Sequence, residues 1–320
     1  MNTSLAAPAR MAPNEDLHTG PMASPFSRLR VELKNTFTGT GAEPPAWTEE
    51  LAEGDDAGCF PPGSAVWEVH SSMTPTVGGI RALLLQALHP GAMAGVYAHS
   101  NFREDPLGRL ANTIRWIFTV TYGSTEAARS ASGWVRRLHE KVSGTYVDAN
   151  GVEHSYSAND PHLACWVHLA FTDSFLSAHQ RYGLRFPGGA DDYVAQWAVA
   201  GELMGVTDPP RSVAELRSQL AAYDGELTSS RQVQDALAYI MRPPLPRSQR
   251  LGYRVLFTGA VATLTPRQRE MLGLALPHLG PVPIPVKPAV MLVLGVLKLG
   301  LGRQGPSEAA ALRRIRRVTG

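Results

Sequence analysis

Apolar positions recur at three- and four-residue spacing along this chain, and strict two-residue alternation is almost absent, so the pattern predicts a mostly helical protein. The clearest stretch is Arg81-Ala-Leu-Leu-Leu-Gln-Ala-Leu88, built from strong helix formers. His89-Pro90-Gly91 breaks it, and a second helix resumes through Ala92-Met-Ala-Gly-Val-Tyr97. Pro106 predicts the next helix start; that helix carries Arg109, Thr113, Trp116, Ile117 and Val120 and stops at Gly123. Ser124 or Thr125, followed by Glu126, predicts another start, with the helix running through Val135 and Leu138 to Val142 and stopping at Gly144. Asp148-Ala-Asn-Gly151 lies between two short β-prone runs and predicts one small hairpin. Asn159 or Asp160 ahead of Pro161 then caps a long helix reaching about Tyr182.

Further helices are predicted over 191–204, 213–223, 232–240, 247–261, 267–274 and 289–299, with proline clusters at 243–246 and 281–288 as punctuation. Residues 1–25 lack periodicity and are expected to form a disordered arm, and residues 43–64 read as a loop. The expected architecture is all-α: a single helical bundle domain over 26–320.

Composition narrows the function classes. Apolar residues make up 44% and charged residues 18%, which describes a globular chain, and a net charge of +2 gives no reason to expect nucleic acid as a partner. Cys59 and Cys165 are the only cysteines and no C-x-x-C occurs, which argues against zinc ribbons, Cys-ligated clusters and covalent c-type haem. The N-terminus has no basic start with an apolar core behind it, so a cytoplasmic protein is expected. Residues 289–301 are apolar except for Lys298 but fall short of the ~20 residues of a spanning helix, so they predict a buried or surface-lying helix. The 281–301 segment could make peripheral membrane contact or cover a substrate channel; an apolar substrate suits either.

Several motifs are decoys. Gly300-Leu-Gly302-Arg-Gln-Gly305 matches G-x-G-x-x-G, yet no β-α-β alternation surrounds it. Glu15-Asp-Leu-His18 has the spacing of a carboxylate metal site but falls in the arm. No H-E-x-x-H, G-x-S-x-G or P-loop occurs.

The remaining chemistry sits between Arg109 and His168. Arg109 and Thr113 are four apart, and Arg136 and His139 three apart, so each pair shares a helix face. Arginines, a hydroxyl and the imidazoles of His139 and His168, gathered by packed helices, are what a haem or oxygen site needs. A structural polar network could use the same residues. Arg136, Arg137 and Lys141 could be a solvated face, and Arg109 could pair with Asp105. His162 and His179 are expected to face water, and His89 to act as a helix C-terminal cation or cap.

Four segments, in order, are similar to the family of bacterial latex clearing proteins and the fungal membrane-bound oxygenase that trims a prenyl chain in mycophenolic acid biosynthesis. They are Gly78-Gly-Ile-Arg-Ala-Leu-Leu-Leu-Gln-Ala-Leu-His89-Pro90 with His99-Ser100; Phe102-Arg-Glu-Asp-Pro-Leu-Gly-Arg109-Leu-Ala-Asn-Thr113; Arg136-Arg-Leu-His139-Glu-Lys-Val-Ser-Gly144; and Tyr156-Ser-Ala-Asn-Asp-Pro-His-Leu-Ala-Cys-Trp-Val-His168. The resemblance covers about 65–275. It implies an all-α domain of globin-like character holding haem b, with dioxygen as co-substrate and an electron donor left unassigned. By motif, the iron ligand falls on His139 and the distal arginine and threonine on Arg109 and Thr113; Arg136 becomes a cofactor contact, and His168 a pocket residue and second-choice ligand. Where many relatives carry arginine, this chain has Ser143, which bears on a propionate contact or on a bond to the ligand. The implied activity is oxidative C=C cleavage or hydroxylation of an apolar substrate, isoprenoid or polyketide-like. The alternatives are a haem- or ligand-binding helical protein without turnover, and a non-haem metal oxidase.

Overall fold

A computed structural model describes residues 45–100, 104–302 and 304–320. The predicted arm lies outside the described residues, as does the Glu15/His18 pair. Fourteen helices and two small antiparallel hairpins make up the described part. In chain order the helices before the first hairpin are α1 (Ala46–Glu50), α2 (Ala65–Ser71), α3 (Pro75–Ala87), α4 (Pro90–His99), α5 (Pro106–Tyr122) and α6 (Thr125–His139). Strands β1 (Ser143–Val147) and β2 (Glu153–Ser157) follow, then α7 (Pro161–Tyr182), α8 (Gly189–Leu203), α9 (Val213–Ala222), α10 (Arg231–Met241), α11 (Arg247–Val261) and α12 (Pro266–Leu272). The chain closes with β3 (His278–Leu279), β4 (Val282–Pro283), α13 (Val286–Leu301) and α14 (Pro306–Thr319).

The local signals act as expected. Proline occupies the first turn of α4, α5, α7 and α12, where its missing N–H costs nothing. Asp105, Ser124 and Asp160 cap α5, α6 and α7 through their side-chain oxygens. The α6 helix stops at His139, three residues short of the expected end. The Val142 carbonyl instead accepts the Ala158 N–H at 2.9 Å, and β1 begins at Ser143. Four elements were not legible in the hydrophobic pattern: α1, α2, the β3–β4 hairpin and α14.

The long α7 is the central helix, and α3 lies closest against it. Gly78 permits that approach, because a Cβ there would sit 2.7 Å from Phe175 Cδ1 and 3.1 Å from Phe175 Cα. Around this contact Val77, Leu84, Leu85, Leu169, Phe175, Leu176, Trp166 and Trp197 form one buried apolar cluster. An ion pair between a buried arginine and a half-buried aspartate adjoins it: Arg81 meets Asp173 at 2.6 Å and donates to Ser174 Oγ at 2.9 Å, with Nε directed at the Thr263 carbonyl. On the far side, Arg314 of α14 is fully buried and donates to the carbonyls of Leu51, Asp56 and Ala57, docking the last helix on the first loop.

Candidate active site

α5 and α6 form an antiparallel pair joined through Gly123 and Ser124, and one hydrogen bond sets their register. Trp116 Nε1 donates to Ser132 Oγ at 3.0 Å. Arg109 is seven residues before Trp116 and His139 seven residues after Ser132. Seven residues is close to two turns and about 10 Å of rise, so each returns to the face that the hydrogen bond marks. By this periodicity Arg109 and His139 fall at one level of the two helices.

Their surroundings differ from those of surface residues. The Arg109 guanidinium is substantially buried and has no ion-pair or hydrogen-bond partner among the described residues, and burial lowers its pKa from the usual arginine value. Asp105 does not pair with it; the Asp105 carboxylate accepts the Gly108 N–H at 2.9 Å as the α5 cap. Thr113 Oγ1 donates to the Arg109 carbonyl at 3.2 Å. The His139 imidazole is half-buried with no hydrogen-bond partner among the described residues, and burial pushes its pKa down, leaving a neutral ring near neutral pH.

Three of the four sequence segments, the first, third and fourth, meet at the end of α6. Asn159 Nδ2 donates to the Arg136 carbonyl at 2.9 Å, pinning the turn that carries His139. The His99 imidazole meets the Ser143 carbonyl at 3.1 Å, tying the end of α4 to the start of β1. A Cβ at Gly95 would lie 3.6 Å from Val142 and 3.4 Å from the Tyr156 ring. Ser143 and Arg136 are exposed, with the Arg136 side chain lying over Gly205 at the end of α8. Among the apolar residues of these elements, Ile117 is buried and Trp116, Val142 and Val167 are half-buried, but Leu138 is 45% exposed. It points to solvent with Trp134 and Arg137 because it is one residue, about 100°, away from His139 on the helix.

His168 is buried on α7. Its Nε2 lies 3.5 Å from Thr172 Oγ1, a long contact, and its ring packs against Gly201, where a Cβ would be 3.1 Å away. Burial lowers its pKa to about 4. His162 is exposed as expected, but His179 is buried: Nε2 meets the Leu184 carbonyl at 2.9 Å and Nδ1 lies 3.0 Å from Thr74 Oγ1. His89 is also buried, and it caps the N-terminus of α4 rather than the C-terminus of α3, its Nδ1 accepting from the Gly91 N–H at 3.1 Å.

His89 belongs to a cluster that sequence spacing did not reveal. His89 Nε2 and His162 Nε2 both meet Glu226, at 3.2 and 2.9 Å, and the three residues could in principle hold a metal ion. Because Nδ1 of His89 accepts backbone N–H, the neutral ring carries its proton on Nε2 and donates it to Glu226. A metal at Nε2 would have to displace that proton, so the cluster reads as a hydrogen-bonded tie between α4, α7 and the segment after α9. Glu226 lies 64 residues beyond His162, so no local motif could have shown it.

An apolar cavity of about 330 Å³ opens elsewhere, between α10, α11 and the 273–277 segment, lined by Met241, Phe257, Val261, Leu276 and Pro277 among others. It shares no residue with the His139 cluster.

The family model described as ER-bound oxygenase mpaB/B'/Rubber oxygenase, catalytic domain, matches residues 67–283, more than half of the chain. The chain belongs to this oxygenase family. Its members use dioxygen on a substrate, so the protein is an oxygenase with an all-α catalytic domain. No curated protein and no solved structure matches the chain. The matched range begins at Trp67 in α2 and ends at Pro283 in β4, so it includes Arg109, Thr113, His139 and His168 and stops short of α13 and α14.

Proposed function

We propose that this oxygenase is haem b-dependent, with His139 as the iron ligand, and that it acts on an apolar substrate of isoprenoid or polyketide-like character by oxidative C=C cleavage or hydroxylation. Supporting this reading, helix periodicity from the Trp116–Ser132 bond puts at one level of α5 and α6 a neutral imidazole and a desolvated arginine, neither with a partner among the described residues. A buried cation without a partner is costly, and such groups persist where a ligand completes them.

The donor set fits haem. His139 offers a neutral nitrogen and exposed Arg136 a cation for a propionate; Trp116, Ile117 and Val167 belong to the main apolar cluster, and Val142 to a smaller one with Tyr146 and Tyr156. Bound haem supplies the iron chemistry of dioxygen activation, which no side chain of the chain offers. Arg109 stays cationic at neutral pH despite its lowered pKa and donates hydrogen bonds to charge developing on the oxygen co-substrate. Thr113, whose proton rests on the Arg109 carbonyl, serves as a second donor when the hydroxyl turns. Asn159 holds the last turn of α6 and so positions His139. His168, buried and poorly partnered, is the second-choice ligand.

A non-haem metal oxidase is the other reading with an observation behind it, the His89–His162–Glu226 cluster, and the proton on His89 Nε2 stands against it. Purification after expression with ample haem separates the two. The expected result is a red protein with a Soret band and a b-type pyridine haemochrome, which consumes oxygen when given an isoprenoid. A colourless protein with a stoichiometric transition metal overturns the haem reading, and a red protein that binds but never consumes oxygen with any apolar substrate overturns the turnover assignment.

A further inference from the structure

α13 is apolar on both sides. Its inner face buries Val290, Leu294 and Leu297 against the core. Its outer face presents Met291 (41% exposed), Leu292 (70%) and Leu299 (72%), with Pro288 and Gly295 completing one helical stripe. The hairpin just before it adds Leu279, Val282 and Ile284, all exposed, and the Ile284 N–H returns to the Pro277 carbonyl at 3.0 Å, so the hairpin stands at the rim of the apolar cavity.

α11 extends this face. Gly252 lies against Val293 and Gly259 against Val290, so α11 and α13 run antiparallel in close contact. Leu251, 72% exposed, flanks that contact on the solvent side, and Arg247 and Arg254 share its helix face at four and three residues' distance. The charge is one-sided. Residues 241–304 contain nine of the chain's 30 Lys and Arg but only one of its 28 acids, Glu270; of the nine, Arg267 pairs with Asp224 and Arg269 donates to the Leu264 carbonyl. Lys287 and Lys298 are exposed at the two ends of α13.

An exposed apolar stripe flanked by Arg247, Arg254, Lys287 and Lys298 is matched to an anionic lipid surface, where the apolar side chains enter the acyl boundary and the cations meet headgroup phosphates. We propose that α13, the β3–β4 hairpin and the exposed face of α11 dock the protein on an anionic bilayer, α13 lying in the interface plane. Among the described residues no helix is long and apolar enough to cross a membrane, and the 16 residues of α13 extend only about 24 Å. The face is independent of the cofactor assignment, since α13 lies outside the matched family range.

Co-sedimentation of the full chain with phosphatidylcholine vesicles, with and without phosphatidylglycerol, tests this. The expected result is binding to the anionic vesicles, weaker by about tenfold or more on the neutral ones and in high salt. Leu292→Glu with Leu299→Glu should abolish it while leaving the thermal melt unchanged; Arg247→Glu with Arg254→Glu, which leaves the apolar stripe intact, should weaken it even if the first variant folds poorly. Absence of binding to anionic vesicles overturns the proposal, as does binding that neither variant changes. Self-association in sedimentation velocity that Leu292→Glu abolishes, without lipid binding, would assign the face to a second copy and overturn it equally.

Discussion

Trp116 of α5 donates a 3.0 Å hydrogen bond to Ser132 of α6, and this single contact fixes which residues of the two helices share a level. Two turns along, helix periodicity puts Arg109 and His139 at the same level. Trp116→Phe keeps most of the packing but loses the bond and leaves the largely buried Ser132 hydroxyl unpaired, so a loss of about 1 kcal/mol is expected in urea unfolding. Ser132→Ala should cost a similar amount, and the double variant clearly less than the sum. Full additivity in that double-mutant cycle would contradict the contact.

Arg109 and Thr113 are expected to matter for turnover rather than for cofactor retention. Arg109→Ala and Thr113→Ala should keep haem while lowering oxygen consumption, Arg109→Ala by about a hundredfold. Undiminished activity in both variants would remove their proposed role as donors.

Buried histidines give the fold an acid-sensitive flank. His70 is fully enclosed: its Nδ1 lies 2.8 Å from Thr121 Oγ1 and its Nε2 3.2 Å from the Tyr193 hydroxyl, and burial lowers its pKa to about 3. His168 is held at about 4. In the unfolded chain both return to about 6.5, so between those values the unfolded state binds more protons and stability rises with pH. The stabilising neutral form is fully present above about pH 6.5 and its contribution is lost as pH falls toward 4 and 3. Each histidine contributes a slope of up to about 1.4 kcal/mol per pH unit in that window. Urea midpoints measured from pH 7 to pH 4.5 should fall, and His70→Gln should flatten the fall; a flat profile in the parent would contradict the neutral assignment.

Adjacent glycines in α3 should respond oppositely to alanine. At Gly78 the added Cβ meets the Phe175 ring and backbone, and Gly78→Ala should destabilise by about 1–3 kcal/mol. At Gly79 nothing lies within 4 Å, so Gly79→Ala should stabilise the helix by roughly 0.4–1 kcal/mol. Equal effects in thermal melts would contradict the α3–α7 contact.

What the sequence disclosed and what it hid have physical reasons. Starts of α5 and α7 were legible because proline and a capping side chain act within four residues. The four motif segments named Arg109, Thr113, Arg136, His139 and His168, but not that Asn159 ties α6 to the start of α7. His179 was misread as solvent-facing, since only the chain turning back at Leu184 encloses it. His89 was placed at the wrong helix end because His-Pro fits a C-terminus as well as an N-cap, and the Gly91 N–H decides. α14 escaped because its docking rests on Arg314 reaching carbonyls some 260 residues earlier, which no local pattern encodes.

The most direct test of the account is the absorption spectrum of His139→Ala beside His168→Ala, both expressed with ample haem. The account predicts that His139→Ala loses the Soret band and recovers it with added imidazole, while His168→Ala keeps at least part of its haem. Haem retained in His139→Ala and lost from His168→Ala would contradict it.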